Sequence, residues 1–147
     1  MASSLQVDGV ITTSDGMIIT TADNTDTLTL ISTDDDTAEG PILKFNRNPS
    51  GIAAGDLTGT IKFVADDAGG NATTYYEIQS SIEDGTDGGE DGRLTFMQTL
   101  GGSAVNMLDM LSGNVIFNQD SNDVDFRVES NGNTHMIFVD AGSDMST

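Results

Sequence analysis

Residues 123–140 read DVDFRVESNGNTHMIFVD, a stretch in which apolar and polar side chains alternate on both sides of a short turn. Successive strand residues face opposite sides of a sheet, so Phe126 and Val128 point one way while Asp125, Arg127 and Glu129 point the other. Asn131-Gly132 is a pair suited to the positive φ angles of a hairpin turn. Beyond it the apolar residues Met136, Ile137, Phe138 and Val139 follow. Two strands alone are marginal in water, so something else must cover this hairpin.

Composition bears on what that cover is. Thirty-four of the 147 residues are Leu, Ile, Val or Phe. That fraction, about 23%, stands just above the roughly 20% below which a highly charged chain stays disordered. With no Trp, 2 Tyr and 6 Phe, few large side chains are available to exclude water. Burial against other copies of the chain is therefore a physical expectation.

The formal charge of −19 comes from 24 acidic residues against five Lys and Arg. It repels phosphate backbones, which excludes general nucleic-acid binding, and it opposes docking on anionic membranes. The default reading of the acidity is a solvated, soluble surface. The absence of cysteine excludes disulfides, zinc-thiolate sites and thiol catalysis. The opening MASSLQVDGV has neither a basic segment nor an apolar run, so synthesis in the cytoplasm is expected. No stretch approaches the length of a membrane span.

Along the chain, DGVITT at 8–13 returns as DGMIITT at 15–21 and is followed by TDTLTLIST. Thr and Ile favour extended structure and Asp-Gly favours turns, so residues 1–33 read as a repetitive N-terminal β arm. STDDDTAEGP at 32–41 reads as a surface connection, and residues 34–147 as one folding unit. Strand-length runs with period-two alternation occur at 42–46 (ILKFN), 59–66, 75–82 and 92–98. In three of them Leu43/Phe45, Ile61/Phe63 and Leu94/Phe96 flank a polar residue, which puts each pair on one face. AVNMLDML also fits a short helix, with Val105, Leu108 and Leu111 at helical spacing. The glycines before and after it leave little length for one, so a strand is expected. The class is all-β, built of short antiparallel strands and hairpins.

MLDMLSGNVIFN at 107–118 resembles a strand-turn-strand segment recurrent in phage tail-fibre and related virion proteins. The stretch 122–144 resembles a hairpin of phage structural proteins, and ILKFNR, GTIKFVADD and GRLTFMQT resemble their central strands. The likeness spans roughly residues 40–144 and rests on turn chemistry and alternation. It implies an intertwined, tailspike-like homotrimer whose interface includes Phe96, Phe117, Phe126, Val128, Met136 and Phe138. A trimer also closes open sheet edges. The short length is most similar to capsid decoration, or cement, proteins. These are non-enzymatic trimers on the capsid surface of the virion that bridge capsomers of the major capsid protein. A tail-fibre or receptor-binding segment touching host glycans is the alternative. A secreted calcium-dependent adhesin or sugar-binding module is a third class.

Candidate chemistry is sparse. His135, the single histidine, has no second imidazole or thiol with which to form a common metal site, and reads as a surface or interface residue. No GxSxG elbow is present to support hydrolysis. The loop EDGTDGGED at 83–91 offers Asp84, Asp87 and Glu90 to calcium, but their three-residue steps do not match an EF-hand, so a solvated turn is the default. Glu77, Glu83, Glu90 and Glu129 are the carboxylates for any glycosidase pair, with no pairing visible. Of the two tyrosines, one of Tyr75 and Tyr76 is expected in the core and the other at its rim. Arg47, Arg93 and Arg127 suit bidentate carboxylate pairs, between subunits or on an ordinary surface.

Overall fold

Two tight turns set the architecture. Gly101 and Gly102 take φ of 58° and 85°, and Ser112 and Gly113 take 44° and 76°. Two consecutive left-handed residues match the twist of flanking strands and fold the chain straight back on itself. Leu100 thus pairs with Ser103, and Leu111 with Asn114. The computed structural model describes residues 7–142 and 145–146, with the side chains at 134, 135, 145 and 146 outside that description. Contacts group the chain into Met1–Lys44 and Phe45–Thr147.

The second unit holds a five-stranded antiparallel meander. Its strands, in spatial and chain order, are β1 (Leu57–Asp66), β2 (Ala72–Asp84), β3 (Asp91–Leu100), β4 (Ser103–Leu111) and β5 (Asn114–Phe117). A second sheet contains β6 (Phe126–Ser130), β7 (Asn133–Asp140) and β8 (Met145–Ser146). No helix occurs among the described residues, and the all-β expectation holds. AVNMLDML is the strand β4 rather than a helix. The loop joining the sheets is tied to β4: Asn118 N–H donates to the Met107 carbonyl at 3.0 Å, and Asn106 N–H donates to Asp120 Oδ2 at 2.8 Å.

Cross-strand partners share a face, so the register sorts the five-stranded sheet into two unlike surfaces. One row runs Gly59, Ser80, Leu94, Met110, Val115; the next runs Ile61, Ile78, Phe96, Leu108, Phe117. A third joins Phe63, Tyr76, Gln98 and Val105. This face is apolar and carries no charge in these rows. The opposite face carries Lys62, Glu77, Arg93 and Asp109. Bulges fall between Phe63 and Val64 and, on β4, at Met107.

Several expectations need correction. Described residues of the N-terminal arm form no strand. Its acidic side chains instead satisfy nearby backbone N–H groups, as where Asp23 accepts from Thr25 and Asp36 from Ala38, a local bonding that competes with sheet pairing. Residues 42–46 form no strand either. Phe45 stacks over Gly59, where even a Cβ would lie 2.7 Å from the Phe45 Cβ. That position crosses the sheet face instead of extending its edge, and Arg47 anchors it by donating to the Leu57 carbonyl at 3.2 Å. The Asn131-Gly132 turn closes Ser130 onto Asn133, but neither turn residue is among those with positive φ. Tyr75 and Tyr76 are both exposed, at 40% and 54%, so neither is core.

Ser112 is the one non-glycine residue in the two left-handed turns described above, a conformation costly to a side-chain-bearing residue. Ser112→Asn, which tolerates it and completes the favoured Asn-Gly pair, is expected to stabilise the fold by about 1 kcal/mol. Urea unfolding measures this directly; an unchanged or lower midpoint would mean that Ser112 is not strained.

Candidate functional site

The most deeply buried side chain is not apolar. Asp109 is 0% exposed and Thr95 6%, while Val105, at 4%, is the one buried apolar residue among those described. Asp109 sits mid-strand between Leu108 and Met110, whose side chains take the apolar face. Its own carboxylate turns to the opposite face, directly across from Thr95. There Arg93 Nε donates to Asp109 Oδ1 at 3.0 Å and Arg93 Nη2 donates to Oδ2. Thr95 Oγ1 donates to Oδ1 at 2.5 Å. Glu83 adds a second carboxylate to Arg93 at 3.7 Å.

This is a bidentate, charge-assisted pair. The Arg93 guanidinium, aided by the Thr95 hydroxyl, holds the Asp109 carboxyl below the usual carboxylate range against the opposing effect of burial. The same contact raises Arg93. A polar hollow of about 280 Å³ lies beside the pair, lined in part by Gln79, Glu83, Arg93, Thr95 and Asn106.

The apolar face has two hollows. One of about 320 Å³ is lined in part by Phe45, Ile61, Ile78 and Leu94. The other, of about 300 Å³, is lined by Phe63, Tyr76, Glu77, Ile78, Phe96 and Met97. Projecting between and beside them are Phe63, Tyr76, Val115 and Phe117, each more than half exposed. Within Phe45–Thr147, Phe45 lies over Gly59 and Phe126 against Phe117, while Ile61, Phe63, Tyr76 and Val115 stay exposed.

The six residues expected at a subunit interface fall in different places. Phe96 and Phe117 lie in one row of the apolar face. Phe117 meets Phe126 with ring centroids 4.6 Å apart and planes tilted by 45°, which joins the two sheets. Phe126 and Val128 pair with Val139 and Ile137 on one side of the hairpin, Phe138 pairs with Arg127 on the other, and Met136 falls in the stretch of the register shift between Val128 and Ser130.

The remaining candidates are engaged locally. Asp84 accepts from Thr86 N–H at 2.8 Å, and Glu90 from Gly88 N–H at 3.1 Å. Those hydrogen bonds, from Thr86 to Asp84 and from the backbone to Glu90, lower both carboxyls. Asp87 lies in the same turn. No group of three or more acidic, His or Cys side chains is placed to hold a metal ion among the described residues. Glu77 faces Lys62 at 3.7 Å, Glu83 faces Arg93, and Glu129 faces Arg127 at 2.5 Å. Arg47 pairs with Asp56 at 3.0 Å. Each candidate carboxylate thus has a different local partner. His135 lies on β7, and its side chain is outside the described residues.

Asp109 is the site residue that sequence reasoning missed. Its signal was the lone acid at the centre of MLDML, with Arg93 and Thr95 at the third and fifth positions of the adjacent strand β3. Compared with protein-family models, with curated proteins and with solved structures, the chain matches none.

Removing one partner of a buried pair leaves an uncompensated charge. Arg93→Met is expected to destabilise the fold by about 3 kcal/mol, and Arg93→Met combined with Asp109→Leu to recover most of that loss. A loss below about 1 kcal/mol for the single variant would place the pair with ordinary surface ion pairs. The pair also implies a pH dependence. Because the folded-state pKa of Asp109 lies below its unfolded value, its stabilisation is complete above the ordinary carboxylate range and fades as pH falls through the folded-state value. The Arg93–Asp109 coupling energy from a double-mutant cycle should therefore be large at neutral pH and shrink in strong acid; a constant coupling contradicts the assignment.

Proposed function

We propose that this chain is a non-enzymatic structural protein of a phage virion, a homotrimer on the capsid surface that reinforces the shell by bridging capsomers of the major capsid protein. The observation that carries the proposal is the near-absence of a self-made core: Val105 alone is buried among the described apolar side chains. Such a chain gains its durability from association, and shells gain theirs from contact area supplied by many copies. The quoted virion-like segments fit this reading. MLDMLSGNVIFN forms the β4-turn-β5 hairpin, and 126–140 forms the β6-β7 hairpin. Binding, not bond chemistry, is the mechanism: surface buried between neighbouring capsomers opposes their separation under internal pressure.

A second reading, a tail-fibre segment contacting host glycans, is favoured by the polar hollow beside Arg93, whose amide, hydroxyl and charged groups suit hydroxyl-rich ligands. Two measurements separate the readings. Sedimentation equilibrium is expected to give three times the 15.4 kDa chain mass. Antibody labelling of intact virions in electron micrographs is expected to decorate the head. Label confined to the tail selects the second reading, and a monomer removes the trimer.

A further inference from the structure

The charge-free face of the five-stranded sheet combines projections and hollows on a single surface. We infer that this face, centred on the row Ile61, Ile78, Phe96, Leu108, Phe117, is where copies of this chain bind one another. The inference rests on the oligomeric reading above and specifies the surface that performs it.

Three observations select a second copy as the occupant. First is area. Ile61, Phe63, Tyr76, Val115 and Phe117, all on this one face, are each between 39% and 61% exposed, and contiguous apolar surface of that kind marks an interaction site.

Second is charge. Each copy carries −19, so two copies repel across most orientations. The three rows of this face hold no ionisable side chain except the Tyr76 phenol, and the sheet's Lys62, Glu77, Arg93 and Asp109 all lie behind it. Approach through this face keeps the charged surfaces apart.

Third is shape. A closed homomeric interface must supply both knob and hole from the same sequence. Phe63 and Val115, 54% and 61% exposed, are the knobs; the hollows around Ile78, of about 320 and 300 Å³, are the holes. Both hollows have mainly apolar walls that an aromatic ring satisfies without an unpaired polar group.

The chain has no cysteine, which allows a direct test by single substitutions on the full-length protein. At each edge of the sheet, neighbouring residues face opposite ways: Ile61 and Val115 on the apolar face, Lys62 and Asn114 on the other. Four variants, Ile61→Cys, Lys62→Cys, Val115→Cys and Asn114→Cys, are reacted with a maleimide in native buffer and in urea, and each is also sedimented. The expected result is a multi-chain mass, with Ile61→Cys and Val115→Cys protected by about 30-fold or more and their neighbours reacting freely.

A multi-chain mass with equal rates within each neighbouring pair overturns this interface and leaves the trimer standing. Protection of Ile61→Cys and Val115→Cys in a monomer overturns it in favour of cover by the chain's own N-terminal unit. A monomer with all four reactive removes both proposals.

Discussion

A sheet with one apolar face is half of a core. Every stable layer architecture buries that face against a second layer, and the five-stranded meander here has hydrophobic rows on one side and polar, charged rows on the other. Among the described residues no further strand pairs with the outer edges of β1 and β5, which adds to the same demand. The exposed aromatics and the placement of charge away from the apolar rows go with this imbalance.

The polar face answers a different need. Register must be fixed even where little is buried, because a one-residue slip would exchange the two faces. Asp109 contributes to that fixing. Its carboxylate is enclosed by Arg93 and Thr95 of the adjacent strand, and either slip of β3 against β4 leaves a buried charge without its partner. The bulge at Met107 lies immediately beside this lock, so the irregularity and the ion pair together align the apolar rows of β3 and β4.

Much of this arrangement was legible in the sequence. The alternations Ile61/Phe63 and Leu94/Phe96 place β1 and β3 correctly, and the glycines around AVNMLDML argue for strand over helix. The hairpin at 126–140 follows from alternation around Asn131-Gly132. Its register does not: a two-residue turn with Ser130 opposite Asn133 would set Phe126 against Ile137, and the shift between Val128 and Ser130 moves Phe126 onto Val139 instead. Other features were not legible. Leu43/Phe45 has the same local pattern as the true strands, but pairing is a long-range event, and the lack of a Cβ at Gly59 drew Phe45 onto the face. Thr and Ile in the arm favour extension without supplying a partner. A mid-strand Asp ordinarily reads as solvent-facing, so Asp109 gave no hint of burial until its neighbours on β3 were aligned with it.

The acidic loops have an environmental consequence. Asp67 accepts from the backbone of Gly69 and Asn71, and Asp23, Asp36, Asp84 and Glu90 make comparable contacts within a few residues. Bonds of that reach are far shorter than the Debye length, about 8–10 Å in physiological to decimolar electrolyte, and are little weakened by dissolved ions. Dissolved salt therefore weakens the long-range repulsion among the acidic groups while leaving these short bonds in place.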